Sequence, residues 1–176
     1  MDFWLEKTIL FILPSYFANS VPVLLGGGEP IDGKRKLADK KRIFGDGKTI
    51  RGFLSGVLLA IVIGGVQGLL LSNTAYDLYF SEFSHYVLAG FLLGLGTMTG
   101  DLVGSFIKRR QGIPQGKPSF LLDQLSFLLF AILFSYPFAS HLISLQSFIL
   151  LLFLTYFVHV LANILAHKIG LKKVPW

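Results

Sequence analysis

The chain has 176 residues, 53% of them apolar and 15% charged, with a mean hydropathy of +0.65 and a formal net charge of +6. That composition excludes a soluble globular domain and leaves a membrane protein with length for about five spanning helices of roughly 20 residues. Cysteine is absent, which excludes a disulfide framework, a thiol nucleophile and a Cys-ligated metal.

The first apolar run, residues 3–25, lacks a basic leader or a small-residue cleavage site and reads as a membrane helix rather than a signal peptide. Pro14, Asn19 and Pro22 interrupt it, which predicts either a kinked helix or a lipid-facing groove beside Asn19. The loop 26–51 follows and carries eight of the sixteen Lys and Arg residues. Span 2 is placed at 52–72, and the connecting segment 73–83 has two acids and no base. Span 3 covers 84–107, a second basic loop 108–118, span 4 119–139 and span 5 142–166. Positive-inside bias puts both basic loops and the tail, with Lys168, Lys172 and Lys173, in the cytoplasm and the amino terminus outside. The expected fold is an all-α polytopic membrane protein. It is a single transmembrane domain over residues 1–176, with about five helices and cytoplasmic loops after helices 1 and 3. Glycines at four-residue spacing, Gly90/Gly94 and Gly96/Gly100/Gly104 among them, predict close helix packing in lipid.

Two acids stand where charges are expensive. Asp101 lies about two turns inside span 3 and Asp123 about one turn inside span 4. An acid at membrane depth marks either a site or a paired structural charge, for which Lys108 or Arg109 is in reach. Asp101, Ser105 and Lys108 share one helix face at i, i+4 and i+7. Two carboxylates from neighbouring helices suit a hard cation such as Mg2+, which prefers a few carboxylates plus phosphate oxygens. The surrounding cations suit a polyphosphate.

Gly47-Lys48-Thr49 ends like a phosphate-binding P-loop, but the glycine required five residues earlier is Arg42, and charged residues rather than a buried strand precede it. Thr49 reads instead as the N-cap of span 2, and Ser119, after Lys117, as that of span 4. Helix amino termini attract anions through free N–H groups and the macrodipole. In the first loop, Lys34, Arg35, Lys36, Lys40, Lys41 and Arg42 are read as setting topology and touching lipid headgroups. Asp46, Lys48, Thr49 and Arg51 are assigned to the site. In span 5, Thr155, His159, Asn163 and His167 form a polar stripe that either bonds to other helices or walls a polar cavity. The histidine spacing does not converge on one ion. Asn19 and Asn163 are the candidates for a lipid groove.

The run GDLVGSFIKRRQGIPQGKPSFLLDQLSF, residues 100–127, resembles the signature region of the integral-membrane phosphatidate cytidylyltransferases (CDP-diacylglycerol synthases). That region reads G-D-L-x-x-S-x-x-K-R, a gap, then an Asp opening the next helix. GDGKTIRGFLSG, residues 45–56, resembles the group's upstream K-[ST]-x-x-G element. Small size, five spans and a basic first loop look most like the archaeal branch, the CDP-archaeol synthases. The resemblance implies CTP, Mg2+ and a lipid phosphate of the 2,3-di-O-geranylgeranylglycerol 1-phosphate type, with membrane lipids as neighbours and no nucleic acid. Carried over, Asp101 and Asp123 would bind the metal. Lys48, Thr49, Lys108, Arg109 and Lys117 would hold the CTP phosphates, assisted by Ser105 and Arg51. The bacterial pattern continues Asp-Arg-x-Asp where this chain has Asp123-Gln124-Leu125-Ser126, so a second metal ligand would fall to Asp46. The implied reaction is nucleotidyl transfer to a lipid phosphate with release of pyrophosphate. The rival readings are a CTP-dependent polyprenol or dolichol kinase and a small transporter using Asp101 and Asp123 as an ion path.

Overall fold

A computed structural model of the chain describes residues 3–117, 119 and 122–171. Lys172 and Lys173, and residues 120 and 121 where span 4 was expected to start, lie outside the described residues. The helices are α1 (Trp4–Ser20), α2 (Pro22–Leu25), α3 (Ile50–Leu71), α4 (Phe83–Arg110), α5 (Leu122–Ala139) and α6 (Leu145–Lys168), with a 3-10 turn at Ser140–Leu142. Five segments are long and apolar enough to cross a membrane, α1 and α2 together forming the first. The expected all-helical polytopic fold is observed, and the described residues include no strand. The clearest difference from the sequence reading is α4, which continues through Lys108, Arg109 and Arg110. Cations in a last helical turn face the negative end of the macrodipole and lengthen the helix favourably.

The break between α1 and α2 falls at Val21–Pro22. Proline has no amide to donate and its ring crowds the carbonyl four residues back, here Ala18. That carbonyl turns toward Gly56 of α3, where a Cβ would come within 2.9 Å of it. The kink expected from Pro22 is therefore accommodated by a glycine on the neighbouring helix.

α4 is the central helix and packs most extensively on α5 and α3. Its glycines divide by face. Gly90 and Gly94 meet Ala60 and Val57 of α3, while Gly96, Gly100 and Gly104 meet the backbone and Ser126 side chain of α5. Small residues permit this approach where lipid supplies no hydrophobic drive for association. The α4–α5 seam brings the segment around Asp101 against Ser126–Phe127, one turn from Asp123.

α6 is held differently. It is the least buried span, tied to α1 by Thr8 Oγ1 donating to Ser147 Oγ at 3.2 Å and by a 2.9 Å Tyr16–Thr155 hydroxyl bond. The end remote from the basic loops is closed by residues 73–82. Asp77 accepts bonds from the Tyr86 hydroxyl (2.7 Å), the Tyr79 amide (3.0 Å) and Ser81 (2.7 Å). Burial alone would raise the Asp77 pKa, but these donors outweigh it and hold the carboxyl below its ordinary value.

Candidate active site

The site is assembled from the basic loop and the adjoining ends of α4 and α5. Lys48 stands just before Thr49, whose Oγ1 accepts the Gly52 amide at 3.1 Å and caps α3. From there the Lys48 ammonium reaches Asp101 on α4, with Nζ 2.6 and 2.8 Å from the two carboxylate oxygens. Two turns further along α4, Lys108 pairs with Asp123 of α5. The second oxygen of Asp123 accepts the Ser119 amide at 2.8 Å, so this acid both ties down the chain ahead of its helix and balances a cation. The two acids that the sequence left open between a site and a structural pair are thus both paired, Asp101 with Lys48 rather than with Lys108 or Arg109.

These pairs open into one cavity of about 550 Å³. Its polar end is lined by Lys48, Asp101, Ser105, Lys108, Lys117 and Asp123, with Arg109 beside them. Its other limb is mostly apolar and runs between α1–α2, through Tyr16, Val23 and Leu24, and α6, through Val158 and Ala162. Asn19 and Asn163 both stand on its wall, so the two groove candidates share the cavity. The stripe on α6 serves both of its expected uses, because Thr155 bonds to Tyr16 while Thr155, His159 and Asn163 line the cavity.

Asp46, Thr49 and Arg51 do not line that cavity. Thr49 is buried in its capping role, and Arg51 is exposed on the first turn of α3. Asp46 faces a second, smaller cavity of about 320 Å³ and is held by Arg42 at 2.5 Å, because the guanidinium offers it a closer countercharge than the α4 site does. Arg42 itself corrects the sequence reading. It is not a headgroup contact but points inward to Asp32, 2.7 Å away, as well as to Asp46. Lys41 remains exposed and donates to the Arg110 carbonyl at 3.1 Å.

Two participants were missed. Gln115 lines both cavities, and its Oε1 accepts the Asp46 amide at 3.0 Å; nothing in Pro114-Gln115-Gly116 distinguishes it from an ordinary turn. Asp32 has a side chain with no solvent exposure. Burial would raise its pKa, but the Arg42 guanidinium and the Phe44, Gly45 and Lys34 amides hold it well below the usual carboxylate range. Its signal, an Asp-Gly pair in a turn, reads as routine loop chemistry.

No group of three metal-ligating acidic, His or Cys side chains converges among the described residues. Two carboxylates facing one cavity beside a hydroxyl and several cations are instead the donor set that fits a hard divalent ion completed by substrate phosphates. The profile of the CarS-like CDP-archaeol synthases matches residues 2–176. The chain belongs to that family. It is 49% identical to the CDP-archaeol synthase of Pyrococcus horikoshii over 98% of this chain and 97% of that protein. It is 41% identical to the CDP-archaeol synthase of Methanocaldococcus jannaschii over 98% of this chain and 97% of that one. A solved structure described as an intramembrane enzyme for archaeal membrane lipids biosynthesis superposes with a TM-score of 0.78 at 34% identity, covering 89% of this chain and 92% of the other. As a member of the CDP-archaeol synthase family the chain is an integral membrane nucleotidyltransferase, which favours transfer over the kinase and transporter readings.

Proposed function

We propose that the cavity joins CTP to an isoprenoid ether lipid phosphate of the 2,3-di-O-geranylgeranylglycerol 1-phosphate type, forming a CDP-lipid and releasing pyrophosphate. One observation carries this reading: a single cavity has two lysine–carboxylate pairs at its polar end and an apolar limb between α1–α2 and α6. A substrate with a phosphate head and long hydrocarbon tails needs that division.

In the reaction, a lipid phosphate oxygen bonds to the α-phosphorus of CTP in line as the bond to the bridging α–β oxygen breaks, and pyrophosphate departs. The lipid phosphate is ionised near neutral pH, so no strong general base is needed. Lys48, Lys108, Arg109 and Lys117 hold the phosphates and offset charge developing on the leaving group. With the triphosphate bound, Lys48 and Lys108 would turn toward its phosphates, and Asp101 and Asp123 would be the residues that hold Mg2+. Bound there, the ion supplies Lewis-acid neutralisation of phosphate charge. Ser105, one turn beyond Asp101 on the cavity wall, would orient a phosphate. Where the bacterial pattern has a second acid this chain has Ser126, whose hydroxyl donates to the Leu122 carbonyl at 2.6 Å, so metal binding would rest on Asp101 and Asp123.

In this reading the basic end of the bundle faces the cytoplasm and the amino terminus lies outside, which the distribution of Lys and Arg supports. Purified protein given CTP, Mg2+ and a panel of ether- and ester-linked lipid phosphates should yield a CDP-lipid and pyrophosphate, with the ether lipid preferred. Mass spectrometry of the lipid reads the product. Asp101→Asn should abolish the transfer while the protein still inserts. Near-normal turnover in that variant, or label from cytidine appearing only in free CDP, overturns the assignment.

A further inference from the structure

Asp32 does not line the catalytic cavity, yet five donor groups converge on its fully buried carboxylate. Oδ1 accepts from the Arg42 Nη2 at 2.7 Å and the Lys34 amide at 3.1 Å. Oδ2 accepts from the Phe44 amide at 3.0 Å, the Gly45 amide at 3.1 Å and the Arg42 Nε at 3.2 Å. A carboxylate stripped of water is costly unless its lone pairs are met this completely. Since the basic loop could have closed with an apolar side chain, the geometry that the charge enforces is the point of interest.

That geometry leads to Lys48. Gly45 adopts φ +110°, a left-handed conformation natural to glycine, and the Asp32 bond fixes its amide in that orientation. The Gly45 carbonyl then accepts the Lys48 amide at 3.1 Å. On the other side of Asp32, the Ile31 amide donates to the Lys48 carbonyl at 2.8 Å, and the Ile50 amide donates to Glu29 at 3.1 Å. Both peptide groups of Lys48 are therefore held by a frame built on Asp32. The ammonium that emerges from this frame is the one bonded to Asp101. We propose that Asp32, locked by Arg42, is a positioning residue that places the Lys48 ammonium and so sets the affinity of the cavity for the nucleotide triphosphate.

The proposal rests on CTP occupying the cavity, and its test separates the two. Full-length Asp32→Asn, Lys48→Met and the double variant are compared for CTP affinity, KM for the lipid phosphate and thermal unfolding. Asp32→Asn should weaken CTP binding roughly tenfold, leave the lipid KM within about twofold, and add less than about threefold once Lys48 is already Met, because residues acting through one group are not additive. The full loss persisting in the Lys48→Met background, or equal rises for CTP and lipid, overturns the proposal. Arg42→Gln keeps the backbone bonds to Asp32 and serves if Asp32→Asn does not fold. It should give a smaller loss confined to CTP, again absorbed by Lys48→Met, and unchanged CTP affinity in the folded variant overturns the proposal. NMR of isotope-labelled lysine, with the Lys48 signal assigned through Lys48→Met, decides independently of CTP. A shifted Lys48 signal in either loop variant supports the positioning role even if the wild type turned over no CTP, and an unmoved signal refutes it.

Discussion

Lys108 and Asp123 have side chains only 14% and 23% exposed, so neither charge can be removed without leaving the other poorly solvated. A fully dry pair broken on one side costs about 3–5 kcal/mol. Here the pair faces a cavity that water can enter, and Lys108→Met should destabilise the protein by about 2 kcal/mol, less than that dry limit. Removing both charges, in Lys108→Met with Asp123→Asn, should recover part of the loss, read as the unfolding midpoint in detergent; a double variant as unstable as the sum of the singles would contradict this account. Asp32 gives a pH dependence whose sign follows from its depressed pKa. The folded-state value lies below the unfolded one, so the ionised form stabilises the loop fully above the unfolded pKa, and the contribution fades as pH falls through about 4 toward the folded value. Wild type should therefore lose more thermal stability than Asp32→Asn between about pH 6 and pH 3, measured by thermal melts. Equal losses would show that Asp32 is not the titrating group.

Helix contacts decide whether these residues meet at all. A Cβ on Gly100 would collide with the Ser126 carbonyl and lie 2.7 Å from Phe127 Cα; both obstacles are backbone, so no rotamer change relieves them. Gly100→Ala should cost about 1–3 kcal/mol by overpacking and should also lower turnover, because it pushes Asp101 away from the α5 end that carries Asp123. Gly65 on α3 is the contrast, since a Cβ there meets only side-chain carbons at 3.8 and 4.0 Å. Gly65→Ala should be neutral or stabilising by up to about 1 kcal/mol, the helix-propensity gain. Melts of the two variants beside wild type check both expectations, and a harmless Gly100→Ala would refute the close-seam account. The glycine spacing was readable from the sequence as helix packing, but not its partners: the same four-residue repeat on α4 serves α3 through Gly90 and Gly94 and α5 through Gly96, Gly100 and Gly104. The spans themselves were readable because lipid demands long apolar runs. The α1–α2 break was legible only as one of two readings of Pro14, Asn19 and Pro22, since α1 runs on through Pro14 and stops before Pro22.

At the scale of the molecule, the cavity gathers the basic loop, α4, α5 and α6, elements far apart in sequence. Its two acids were legible because charge at membrane depth is rarely idle. Asp32 and Gln115 were not, because polar residues in a basic loop carry no such cost until folding buries or aims them, and Asp46 looked equivalent to Lys48 until Arg42 drew it to the other side. The apolar limb was legible only as Asn19 and Asn163, two amides in hydrophobic runs; that they face one cavity from its two sides follows from how α6 hangs on α1 through Thr8–Ser147 and Tyr16–Thr155 while its later turns stay largely exposed. On the proposed function, the lipid should enter sideways from the bilayer between those turns and α1–α2, and CTP should reach the polar end from water. The two substrates should then be separable by blocking one route. The chain has no cysteine, so a single introduced thiol can be labelled cleanly. Ala162→Cys, on the limb, carrying a bulky maleimide should sharply reduce lipid turnover while CTP still binds with wild-type affinity. The same label at Leu69→Cys, 76% exposed on the outer face of α3, should change neither. Loss of CTP binding on labelling Ala162→Cys, or unimpaired lipid turnover, would show that the lipid does not enter between α1–α2 and α6.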